Sequence, residues 1–82
     1  MKSKKVLSKE YSYTVVYEPI KAGGYQVSVP LLQGLITYGR NFKEAQNMAR
    51  DAIQCHIIGL MKSRDEIPQE LNVLQERVTV SL

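Results

Sequence analysis

From Tyr11 to Glu18 apolar and polar positions alternate. Tyr11, Tyr13, Val15 and Tyr17 fall on one side, and Ser12, Thr14, Val16 and Glu18 on the other. This two-residue period, carried by aromatic and β-branched side chains, predicts a strand. Pro19 to Gly24 interrupts it with turn chemistry, since Pro19 donates no ladder hydrogen bond and Gly23-Gly24 can take positive φ. Tyr25, Val27 and Val29 again share a side, so residues 25–29 are predicted to return as the second arm of a hairpin. Pro30 to Gly34 breaks the pattern. A short third strand is expected over residues 35–38, closed by Gly39.

The period then changes. Asn41 followed by Glu44 has the form of a capping box, with Asn in place of the usual Ser or Thr, which predicts a helix starting at Phe42. At 3.6 residues per turn Ala45, Ala49, Ala52, His56 and Leu60 fall in one narrow stripe, expected to face the sheet. Its alanines would let the helix axis approach the strands. Lys62 and Arg64 suit a helix C-terminus, and the helix is expected to end near Ser63, well before Pro68. Ile57, Ile58 and Met61 point to other sides of the wheel. They are either scattered exposed apolar groups or the cover of a second surface, against a partner or another subunit.

Residues 65–76 are expected to form a loop, although Pro68 could open a short helix carrying Leu71 and Leu74. Val78, Val80 and Leu82 alternate with Arg77, Thr79 and Ser81, which predicts a fourth strand. A strand reached through a helix crossover is expected to run parallel to a neighbour, by a right-handed connection. The expected fold class is therefore α+β in two layers, a four-stranded sheet with one long helix on one face, in the order β-β-β-α-β.

The 82 residues suit one small domain, and at 44% hydrophobic and 23% charged the chain is too apolar to be wholly disordered. The formal charge of +3 is unevenly placed: residues 1–10 hold four lysines and one acid, whereas residues 11–82 hold seven basic and seven acidic side chains. The organisation read from this is a basic tail, residues 1–10, and a single domain, residues 11–82. Lys2, Lys4, Lys5 and Lys9 are candidate nucleic-acid contacts, weak and salt-sensitive; the alternative is a solvated tail on a neutral body. The longest apolar run, Ile57 to Met61, is far short of a membrane span, and no signal-like hydrophobic stretch follows the lysines. A cytoplasmic protein is expected.

Candidate chemistry is sparse. Cys55 is the only cysteine and His56 the only histidine, too few for a disulfide or an enclosed zinc ion. His56 falls within the core stripe and reads as a packing residue. Cys55 has no basic cluster nearby in sequence to lower its pKa. The carboxylates are scattered, and Gly23-Gly24 is no phosphate loop, for no helix follows it. No catalytic residue, cofactor, metal or small-molecule substrate is implied.

An ordered series of residues resembles the HicB family of bacterial and archaeal antitoxins. It comprises Tyr13-Thr14-Val15-Val16, Glu18-Pro19, Gly23-Gly24-Tyr25, Val27-Ser28-Val29-Pro30, Gly34, Gly39, Glu44-Ala45, Ala49 and Ala52-Ile53. The likeness runs from about Tyr13 to Ile67. It implies a partial ribonuclease-H-like fold that has lost the nuclease acids, and a protein that is not an enzyme. Family members bind and block HicA, a small mRNA-cleaving toxin, and commonly self-associate. Many carry a further DNA-binding domain, which a chain running to Leu82 is expected to lack. The family's Pro-Asp-Leu-Pro-Gly turn is replaced here by Pro30-Leu31-Leu32-Gln33-Gly34.

Together these readings name Leu31, Leu32 and Gln33 at that corner, an exposed pair of leucines beside a glutamine, and Ile57, Ile58 and Met61 on the helix, as candidate contacts to a toxin or a second copy. The expected partners are a HicA-like toxin and the chain itself, as a homodimer or larger. The alternatives are an orphan regulatory or scaffold dimer without a toxin, and nucleic-acid binding through the lysine tail.

Overall fold

The computed structural model describes residues 10–82, so Lys2, Lys4, Lys5 and Lys9 lie outside the described residues. Three antiparallel strands, β1 (Val16–Pro19), β2 (Tyr25–Ser28) and β3 (Ile36–Gly39), form a sheet in the order β1-β2-β3, and one helix, α1 (Phe42–Ser63), crosses it. The α+β arrangement of helix on sheet follows from the two periodicities of the sequence. The register places Tyr17, Val27 and Thr37 side by side, and likewise Val16, Ser28 and Ile36. Because side chains alternate, the first row faces the helix and the second faces away.

Turn chemistry sets this register. Ile20 donates to the Gly24 carbonyl and Gly23 to that of Ile20, at 2.9 and 2.8 Å, with φ of 111° at Gly23 and 84° at Gly24. Such angles strain any residue with a Cβ. The second connection curls twice, Leu32 donating to Val29 at 2.9 Å and Leu35 to Leu32 at 3.1 Å.

The helix starts where the sequence predicts. Asn41 is extended, and its side-chain oxygen accepts from the Glu44 N–H at 2.8 Å. The capping box is displaced by one residue: Glu44 accepts from the backbone N–H of Arg40 at 2.6 Å, not from that of Asn41. Its carboxylate also accepts two-pronged from the Arg40 guanidinium, which holds the Glu44 carboxyl below its ordinary pKa and raises that of Arg40. At the other end Arg64 is left-handed, with φ 60°, and Asp65 donates to the Leu60 carbonyl in a Schellman-type closure.

The core is small. Val27, Ala45 and Ala49 form its centre, with Val15, Tyr17 and Tyr25 packed round them. Gly39 faces the first turn of the helix so closely that a Cβ added there would fall against the Ala45 backbone and 2.8 Å from the Ala45 Cβ. Phe42 closes the open end, its ring edge-on to Tyr17 and Tyr25 at 4.9 and 5.6 Å.

Four expectations need correction. The fourth strand does not form within this chain: among the described residues the sheet has three strands, and residues 78–82 join no ladder. Alternation marks an apolar side, but a strand also needs an adjacent edge to pair with, and residues 78–82 pair with none of the three strands. The first strand begins at Val16, not Tyr11, and the second and third are Tyr25–Ser28 and Ile36–Gly39. Leu31 and Leu32 are not an exposed pair, because the double turn folds Leu32 inward to 1% exposure while Leu31 stays out. Ile57 is buried too, covered on the flank of the helix beside residues 11–13. In the predicted stripe Ala45 and Ala49 are buried, and Ala52, His56 and Leu60 are half-buried.

Candidate functional site

Three surfaces stand out. The first is the sheet face turned from the helix, where Val16, Ser28 and Ile36 form one cross-strand row and Glu18, Gln26 and Tyr38 the next. No element covers it among the described residues, and Ile36 and Tyr38 are 55% and 57% exposed. Apolar side chains fixed on a sheet in this way, rimmed by Glu18 and Gln26, suit protein contact. The sequence alternation already placed Val16 and Glu18 on one side; what it did not single out were Ile36 and Tyr38.

The second surface is a shallow groove of about 380 Å³ where the Pro30–Gly34 corner meets the helix, lined by Leu31, Leu32, Gln33, His56, Leu60 and Pro68. The third is a larger, mainly apolar groove of about 700 Å³ on the other flank, lined by Tyr11, Tyr13, Ile53, Ile57, Ile58 and Met61. The two groups of predicted contact residues therefore belong to separate grooves. Ile58 and Met61 are exposed, Ile57 is the floor of its groove, and Leu32 the floor of the other.

After the helix the chain is held against the run that precedes β1. Tyr13 donates its hydroxyl proton to the Pro68 carbonyl. The Glu70 carboxylate accepts from the Thr14 N–H at 2.7 Å and from the Thr14 hydroxyl. These bonds, the hydroxyl's first, hold the Glu70 carboxyl below its usual pKa; burial foremost, then the charges of Tyr11 and Glu70, raises that of the Tyr13 phenol. Beyond Glu70 every residue to Leu82 is exposed. Among the described residues no three His, Cys, Asp or Glu side chains are placed to hold a metal ion, Cys55 is exposed, and no helix is long and apolar enough to cross a membrane.

These three surfaces have the shape and apolar character of protein contacts. Residues 13–80 match the family model described as HicB_like antitoxin of bacterial toxin-antitoxin system. The chain belongs to the HicB-like antitoxin family. It is similar to Antitoxin HicB 1 of Photorhabdus laumondii, 34% identical over 80 residues, which are 98% of this chain and 52% of that protein. The HicB-like chain thus spans about half of that relative's length. It is also 38% identical over 58 residues to UPF0150 protein Ta0767 of Thermoplasma acidophilum, covering 71% of this chain and 84% of that protein. UPF0150 protein ssr1765 of Synechocystis sp. is 35% identical over 60 residues, 73% of this chain and 76% of its own.

Proposed function

We propose that this chain is an antitoxin module that works in the cytoplasm by binding a small HicA-type mRNA-cleaving toxin and covering its active surface, with no catalysis of its own. The observation that carries the reading is the antitoxin family match over residues 13–80. The geometry supports it with a partly apolar sheet face and a β3 edge that no element covers among the described residues, a surface on which a folded protein can dock or add a strand. Residues 65–76 add charge complementarity: they hold Asp65, Glu66, Glu70 and Glu76 and no basic residue, which suits a toxin whose substrate is polyanionic.

The test is coexpression with a HicA-type toxin, taken from the neighbouring reading frame where one is encoded there, reading co-purification and cellular mRNA cleavage. Wild-type chain is expected to co-purify and to suppress cleavage. The variant carrying Ile36→Asp and Tyr38→Asp is expected to lose both while its helical circular dichroism is unchanged, since both side chains are exposed. Wild-type chain that neither binds nor suppresses overturns the antitoxin reading and leaves a scaffold role. A double variant as active as wild type overturns the assignment of the sheet face.

A further inference from the structure

Residues 73–82 form an arm with the chemistry of a half-buried strand, and among the described residues nothing buries it. Counting along an extended backbone, Leu74, Val78, Val80 and Leu82 share one side, and Gln75, Arg77, Thr79 and Ser81 the other. Yet Leu74 is 94% exposed, and Val78 and Val80 are 72% and 73% exposed. The arm is no linker by composition, and the family match extends through it to residue 80. It also stands away from the body. The described chain is 64 Å long with a radius of gyration of 16.3 Å, against roughly 11–12 Å for a compact chain of this length.

The same molecule holds a place for such a strand. Ser12 to Val15 continue the line of β1 but lie outside the ladder. Beside them runs the 700 Å³ groove floored by Ile57 and walled by Ile53, Ile58 and Met61. A strand laid along this edge would extend the sheet under the uncovered flank of the helix, with its apolar side in the groove. The chain's own arm starts in the wrong place to do so, because Pro68 and Glu70 are already bonded to Tyr13 and Thr14 and the arm departs from there. Charge agrees with the fit: Glu76 is the one charge on the arm's apolar side, and Arg50 is the one charged residue lining the groove.

We propose that two copies exchange these arms, residues 73–82 of each chain lying along residues 12–15 of the other as the fourth strand of its sheet, with Leu74, Val78 and Val80 in the Ile53–Met61 groove. The ten arm residues, counted with the groove and edge that receive the reciprocal arm, give on the order of twenty residues a side, the size of a stable dimer contact. Strand pairing supplies main-chain hydrogen bonds, and the groove supplies register.

The experiment is light scattering after size exclusion on the full chain across micromolar concentrations. Wild-type chain is expected at twice its 9.3 kDa mass. Val78→Asp with Val80→Asp, and separately Ile58→Asp with Met61→Asp, should each raise the dissociation constant by at least about 100-fold, since each buries two charges in an apolar contact. All four side chains are exposed in the single chain, so helical circular dichroism should be unchanged. Mixing the two variants should recover part of the association, because the arm of the second still fits the groove of the first, one of the two contacts. A monomeric wild type overturns the proposal. So does a dimer indifferent to both double substitutions, or one in which the mixed variants remain apart.

Discussion

The same substitution, Gly to Ala, is expected to act with opposite signs at Gly39 and Gly59. Gly39 closes β3 where the first turn of α1 comes nearest the sheet, and an added Cβ would overlap the Ala45 backbone, which has no soft side chain to yield. The helix must move off the sheet or β3 must twist, and overpacking of this kind costs about 1–3 kcal/mol. Gly59 lies inside α1 with nothing within 4 Å of an added Cβ. There the substitution removes only the conformational freedom of glycine, and the gain is about 0.5–1 kcal/mol. In a chain this size each kcal/mol moves the melting temperature by roughly 4–8 °C. Thermal and urea unfolding by circular dichroism, at one fixed protein concentration, should therefore order the three proteins as Gly59→Ala, wild type, Gly39→Ala. A Gly39→Ala protein within about 0.5 kcal/mol of wild type would refute the close helix-to-sheet contact at this point, since even ordinary surface substitutions stay within that range.

Two further outcomes follow from the helix end and the tether. Arg64 holds a left-handed conformation, φ 60°, that costs an L-residue with a Cβ about 1–2 kcal/mol, so Arg64→Gly should stabilise the chain by roughly 0.5–1 kcal/mol after the greater freedom of unfolded glycine is counted; a loss in urea unfolding would show that the arginine side chain matters more than its backbone. The Glu70 carboxyl titrates below its ordinary value of about 4.5, so its hold on Thr14 is complete above that value and is lost as the pH falls through the lowered one. In an NMR titration the Thr14 amide should shift with a midpoint below 4.5, and in Glu70→Gln that transition should vanish; a midpoint above the ordinary value would contradict the tether.

The elements whose signals are local were legible in the sequence. Asn41 and Glu44 fixed the start of the helix at Phe42, and Gly23-Gly24 fixed the hairpin, because a cap and a positive-φ turn are decided within a few residues. Leu32 was misread for the converse reason. A loop has no period, and only the two successive hydrogen-bonded turns between Val29 and Leu35 show which of two adjacent leucines turns inward. The helix wheel separated Ile57, Ile58 and Met61 from the core stripe but not from one another; the flanking run from Tyr11 to Tyr13 buries the first and leaves the other two at the rim. Alternation over residues 78–82 predicted a strand that is not found among the described residues, because a period of two marks an apolar side and carries no information about an edge to pair with.

That last distinction bears on stability as well as on assembly. Among the described residues the buried hydrophobic side chains are Val27, Val29, Leu32, Ala45, Ala49 and Ile57, two of them alanines with little surface to withdraw from water. Against this, Leu71, Val73, Leu74, Val78 and Val80 all remain more than half exposed. Small domains lack the volume for a large core and gain most from burying surface between chains. With exchanged arms the fold and the dimer become one equilibrium, and stability rises with protomer concentration. With the arm paired along residues 12–15 and its apolar side turned toward the helix, the outward-facing Ile36 and Tyr38 lie on β3, at the far edge of the sheet from that contact. Self-association and capture of a toxin then draw on different residues, so losing one by substitution does not entail losing the other.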